Sequence, residues 1–112
     1  METPPRSDPS ERLLALLGLG AAGGNVVIGV DGTRAFLQRQ KCFVVVMAVD
    51  ASPRAVSKVK RLAEATGIPV VIGPMRERMG ARLGRPPVMV VGVKDRGLAA
   101  GILAASAPRD GT

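Results

Sequence analysis

Short apolar runs alternate along this chain with longer stretches in which apolar residues recur every three or four positions. Leu13, Leu14, Leu16 and Leu17 have the helical spacing, and Ser10 stands where an N-cap belongs. Gly23-Gly24-Asn25 ends that segment. Val26-Val27-Ile28, bounded by glycines, reads as a short strand. From Val30 to about Arg39 a short helix is expected, with Ala35, Phe36 and Leu37 inside it. Phe43 to Val49 (FVVVMAV) is a β-branched apolar run, the pattern of a strand buried on both faces.

The clearest helix follows. Ser52 is placed to cap it and Pro53 takes the first helical position. Val56, Val59, Ala63 and Thr66 recur at three and four, Gly67 ends the helix and Pro69 prevents its return. Val70-Val71-Ile72 is another short strand. Met75, Met79 and Leu83 mark one face of a short helix ended by Gly84. Val88 to Val93 (VMVVGV) reads as a further strand, and Asp95 caps a last helix carrying Leu98, Ala99, Ile102 and Leu103.

Helices alternating with apolar strands predict an α/β sandwich around a largely buried sheet. The length, 112 residues, suits one domain. That domain is expected over residues 10–106, with polar segments 1–9 and 107–112 as flexible tails. No stretch reaches the roughly 18 apolar residues of a membrane span. The first residues lack the basic-then-apolar order of a signal peptide. A soluble, cytoplasmic protein with no membrane partner is expected.

Composition then narrows the chemistry. There is no His, Trp or Tyr, and Cys42 is the single cysteine. That inventory excludes a His/Cys metal site, Ser-His-Asp or Cys-His catalysis, an intrachain disulfide, and a base-stacking sheet built on aromatic pairs. Sixteen Lys and Arg stand against nine Asp and Glu, a net charge of +7. A basic domain of this size commonly meets a polyanion, usually nucleic acid. A biased base composition, with Arg far ahead of Lys, gives the same excess without any partner.

Individual motifs weigh less. Gly18-Leu19-Gly20-Ala21-Ala22-Gly23 matches the glycine string of dinucleotide-binding domains. That loop must leave a strand and open a helix, whereas here a strand-like run follows it, and the acid expected about 20 residues later is missing. Arg54, Lys58 and Arg61 share one helix face, which reads as the solvated side of an amphipathic helix, with phosphate contact as the alternative. Arg76, Arg78, Arg82 and Arg85, followed by Pro86-Pro87, form a second basic cluster: a rigid reader of a nucleic-acid backbone, or a loop whose prolines only fix a turn. Asp50 and Asp95 read as caps or turn formers rather than an acid/base pair, and Cys42 as a small core residue.

Five strings, in order, carry a resemblance: Leu17 to Gly29 (LGLGAAGGNVVIG), Val45 to Pro53 (VVMAVDASP), Thr66 to Val70 (TGIPV), Met79 to Gly84 (MGARLG) and Val88 to Val93. Together they resemble small bacterial members of the kink-turn-binding ribosomal protein superfamily, the seven-Ae/thirty-e type, over about residues 12–103. The resemblance implies a three-layer α/β/α sandwich with a mixed four-stranded sheet. It also implies a non-enzymatic protein that binds structured RNA, ribosomal RNA among the candidates, as a monomer and without a cofactor.

The implied RNA surface is the start of the second helix (Gly29, Val30, Asp31, Gly32, Thr33, Arg34), the loop after the central strand (Val49, Asp50) and the loop before the last strand (Arg85, Pro86, Pro87, Val88). A glycine-rich helix start offers bare amides and a positive dipole end to phosphate or base edges. An Arg-Pro-Pro-Val loop adds charge and a rigid apolar contact for an unstacked nucleotide. The chain departs from the family at this surface. Asp31 and Gly32 stand where Asn or Glu usually reads base edges, Ala35 replaces a Lys, Val49 replaces a Glu, and Ala22 and Asn25 replace a basic pair. Arg34, next to Ala35, points about 100° away on a helix. The alternative is a protein-interaction module that kept the fold and lost the RNA-reading residues. Convergence of the basic side chains on the glycine-rich surface favours RNA; scatter favours the alternative.

Overall fold

In the computed structural model the described residues are 9–106, so all of the expected 1–9 tail but Pro9, and the whole of the 107–112 tail, lie outside them. The chain runs α1 (Pro9–Ala22), β1 (Val26–Ile28), α2 (Val30–Gln38), β2 (Val44–Ala48), α3 (Pro53–Thr66), β3 (Val70–Gly73), α4 (Arg76–Leu83), β4 (Val90–Val93) and α5 (Arg96–Ser106). The strands form one sheet in the order β1-β4-β2-β3. β2 and β3 pair in parallel through the α3 crossover, while β4 runs antiparallel to both β1 and β2. The sheet is therefore mixed, as the resemblance implies.

Strand alternation sorts the core into two layers. Val44, Val46 and Ala48 of β2, with Val91 and Val93 of β4, pack beneath Leu13, Leu14 and Leu17 of α1, Met79 of α4 and Ile102 of α5. Val45, Met47 and Val90 face the other way, onto Leu37 of α2 and Ala55, Val59 and Ala63 of α3. Every residue of β2 is buried, which is why its sequence reads as one continuous apolar run. Gly92 of β4 faces the α2 side. A Cβ there would lie 3.0 Å from Val27 and 3.1 Å from Thr33, so its absence lets both side chains close over the sheet.

The local signals act largely as expected. The Ser52 hydroxyl accepts from Ala55 N–H at 3.2 Å, the Asp95 carboxylate accepts from Leu98 N–H at 2.8 Å, and Gly67 and Gly84 end their helices left-handed. Several boundaries differ, β3 for one running on to Gly73. α1 includes Pro9, so Ser10 sits inside the helix rather than just before it. Phe43 and Val49 fall outside β2. The last strand begins at Val90 rather than Val88, because Val88 N–H donates to the Arg76 carbonyl at 3.0 Å, tying that residue to α4 instead of the ladder.

Candidate functional site

The carboxyl ends of β1, β2 and β3 and the amino end of β4 lie at one edge of the sheet, since β4 alone runs against the others. The segments singled out in the sequence meet at this edge. Gly29 leaves β1 with φ 104°, a left-handed value that favours glycine, and donates to the Val90 carbonyl at 2.8 Å before α2 begins. Without a side chain it provides no cap, so the first-turn amides of α2 stay open to an outside acceptor.

The facing wall is the loop from Gly84 to Met89, laid back along α4. Arg85 N–H donates to the Gly80 carbonyl at 2.8 Å. Gly80 packs directly under the loop: a Cβ there would lie 2.7 Å from the Pro86 carbonyl carbon and 2.9 Å from the Arg85 carbonyl oxygen. The Pro86-Pro87 pair fixes the loop's path, and Arg85 remains exposed.

Between the two walls lies a cavity of about 270 Å³ lined by Gly29 and Val30 on one side and Arg85 to Met89 on the other, with Ile28 and Val90 at its floor. Its walls are mainly apolar, with one guanidinium and the opening turn of a helix at its margin. That arrangement suits a flat, unstacked base whose phosphate meets a cation.

Not every expected residue joins this cavity. Thr33 is fully buried and its N–H is taken by the Gly29 carbonyl at 3.1 Å, so it packs in the core and presents nothing outward. Gly32 turns toward the sheet, where a Cβ would lie 2.6 Å from a Val27 methyl. Asp31 is exposed and Arg34 half-buried on the flank of α2 away from the cavity, beside α3. Val49 is 63% exposed but lines no wall. Asp50 is committed elsewhere. Its carboxylate accepts from Arg76 N–H at 2.8 Å and lies 3.6 Å from the Arg76 guanidinium, capping α4 from across the fold.

Met89 is the residue that sequence reasoning missed. Its sulfur accepts from Ser52 N–H at 3.3 Å and from Arg76 at 3.9 Å, and its side chain lines both this cavity and a neighbouring one over Val30. Read as part of an apolar strand, it gave no sign that its side chain lines a cavity, and its carbonyl indeed still accepts from Ala48 N–H of β2 at 2.8 Å. The second basic cluster divides: Arg76 pairs with Asp50, Arg78 with Glu11 at 2.9 Å, Arg82 lies over Gly18, and Arg85 alone reaches the cavity. Among the described residues no group of acidic, His or Cys side chains has the arrangement of a metal site, and no helix is long and apolar enough to cross a membrane.

Residues 12–102 match the model of the ribosomal protein L7Ae/L30e/S12e/Gadd45 family. An RNA-binding protein of Halalkalibacterium halodurans is 33% identical over 60 residues, which span 54% of this chain and 73% of the relative. Among solved structures, a Bacillus halodurans protein of unknown function superposes with a TM-score of 0.80 at 26% identity, covering 84% of this chain and 95% of that one. The 15.5 kD RNA-binding protein of Giardia lamblia superposes with a TM-score of 0.77 at 22% identity, covering 91% and 90%, a likeness of fold.

Proposed function

The chain belongs to the ribosomal protein L7Ae/L30e/S12e/Gadd45 family, and from that membership we propose that it binds structured RNA of the kink-turn kind at the edge of the sheet between Gly29 and Met89. It acts by binding and catalyses nothing. The observation that carries the reading is the shared cavity: an uncapped helix start and an Arg-Pro-Pro loop, distant in sequence, enclose one apolar recess. The relative from Halalkalibacterium halodurans is itself an RNA-binding protein.

The departures at Asp31, Gly32 and Ala35 shape the mechanism. With few side chains to read base edges, recognition falls to backbone amides, to the apolar walls and to the Arg85 charge. These features suit the bent shape and splayed nucleotide of a kink-turn more than its sequence. Ribosomal RNA is one source of such an element. The test is a gel shift with a kink-turn RNA against an unbent duplex of equal length. At least tenfold tighter retention of the kink-turn is expected. Equal affinity for the two overturns the reading.

A further inference from the structure

Arg54, Lys58 and Arg61 lie along α3 at positions i, i+4 and i+7, and all three are exposed. Their neighbours Ala55, Val59 and Ala63 are buried against the sheet, which turns this basic row toward the groove between α2 and α3. One recess of about 170 Å³ is lined by Val30, Asp31, Arg54 and Lys58 with Met89, and a second of about 360 Å³ by Arg34, Lys58 and Arg61. Lys58 is common to both. Val30 and Met89 are common to the first of them and to the cavity assigned above to RNA. A single furrow therefore runs from Arg85, over Val30 and Met89, along α3 to Arg61.

Beyond Arg85, four cations line that furrow, and none takes part in an ion pair among the described residues. The Nε of Arg34 is shielded from water without a hydrogen-bond partner among the described residues, so no internal acceptor holds that guanidinium. The one carboxylate on the walls is Asp31, at the end nearest the cavity. The three on α3 stand about one helical turn, ~5.4 Å, apart along its axis, and Arg34 faces them from α2. A ladder of unpaired positive charges continuous with a nucleotide recess has the form of a phosphate track.

We infer that Arg34, Arg54, Lys58 and Arg61 form an extended site for the sugar-phosphate backbone of the helical arm that leaves the kink. This rests on the RNA reading above. It assigns to α3 a part in affinity and footprint, with bent-RNA selection left to the Gly29–Met89 cavity.

The test compares a kink-turn RNA with minimal arms and the same RNA with each arm lengthened in turn. The proteins are the wild type, the Arg54→Gln/Lys58→Gln/Arg61→Gln variant and Arg85→Ala. Because the three substituted positions are exposed, the triple variant should unfold at the wild-type temperature. The wild type should bind one of the lengthened RNAs about tenfold or more tighter than the minimal one. The triple variant should keep the minimal-RNA affinity but lose that gain, with its salt slope on the long RNA reduced by about 2–3, one for each phosphate contact removed. Arg85→Ala should weaken all the RNAs alike. Full arm-length gain and an unchanged slope in the triple variant overturn the inference. If the wild type shows no preference for the kink, the cavity reading fails separately; the track then stands only if the triple variant still weakens binding to a plain duplex, and falls if it does not. Binding to an acidic protein or to anionic vesicles but to no RNA overturns both.

Discussion

Arg85 carries the largest single expectation at the residue scale. It is the exposed cation on the cavity wall, held by a loop anchored at Gly80. A hydrogen bond from a charged group contributes roughly 1.5–3 kcal/mol. Arg85→Ala should therefore weaken RNA binding by about tenfold or somewhat more, measured by titration at one fixed salt concentration. Asp31 has the opposite sign: removing its charge from the furrow, as in Asp31→Asn, should tighten binding severalfold in the same titration. Cys42 bears on stability instead. Burial raises its thiol pKa above the ordinary 9.0. The unfolded thiol ionises first, so the unfolded chain holds fewer protons between the two values and stability falls as pH rises through that window. Cys42→Ala should flatten that alkaline decline in urea melts followed from pH 8 to 11.

At the element scale the structure turns on how one loop is laid on one helix. Gly80 leaves no room for a Cβ against the Arg85 and Pro86 backbone. Gly80→Ala should cost on the order of 1–3 kcal/mol in thermal or urea unfolding. It should also weaken RNA binding beyond that loss, since it displaces the wall bearing Arg85. Legibility in the sequence followed the same division. Ser52, Pro53, Gly67 and Asp95 could be read because a cap and its helix are neighbours in the chain. Asp50 was read as a cap or turn former, but its helix could not be named, because its donor, Arg76 N–H, lies 26 positions away. Met89 hid inside an apolar run for the same reason: the groups its sulfur meets, Ser52 N–H and the Arg76 guanidinium, lie 37 and 13 positions away.

At the scale of the whole molecule, alternation of period and β-branched runs sufficed for the sheet, its buried centre and the placement of helices on both faces. The cavity was legible only through the resemblance, because neither wall carries a catalytic or metal-binding signature. Of the α3 furrow only the shared basic face of Arg54, Lys58 and Arg61 was legible, with phosphate contact as one of two readings. Whether Arg54, Lys58 and Arg61 face bulk water or a groove depends on how α2 docks against α3, which helical spacing does not encode. With a net charge of +7 and cations gathered on two adjoining walls, log affinity for RNA should fall steeply and linearly with log salt. A flat dependence in filter-binding titrations would make these charges mere surface.

The most direct test of where RNA sits is a map of backbone amide chemical-shift changes as kink-turn RNA is titrated into the protein. The largest changes are expected at Gly29 to Asp31 and Arg85 to Met89, with a second band along Arg54 to Arg61, and little at α1 or α5. Changes centred on α1 and α5, with the Gly29 and Arg85 segments unmoved, would contradict the assignment of the RNA surface even if the protein bound the RNA tightly.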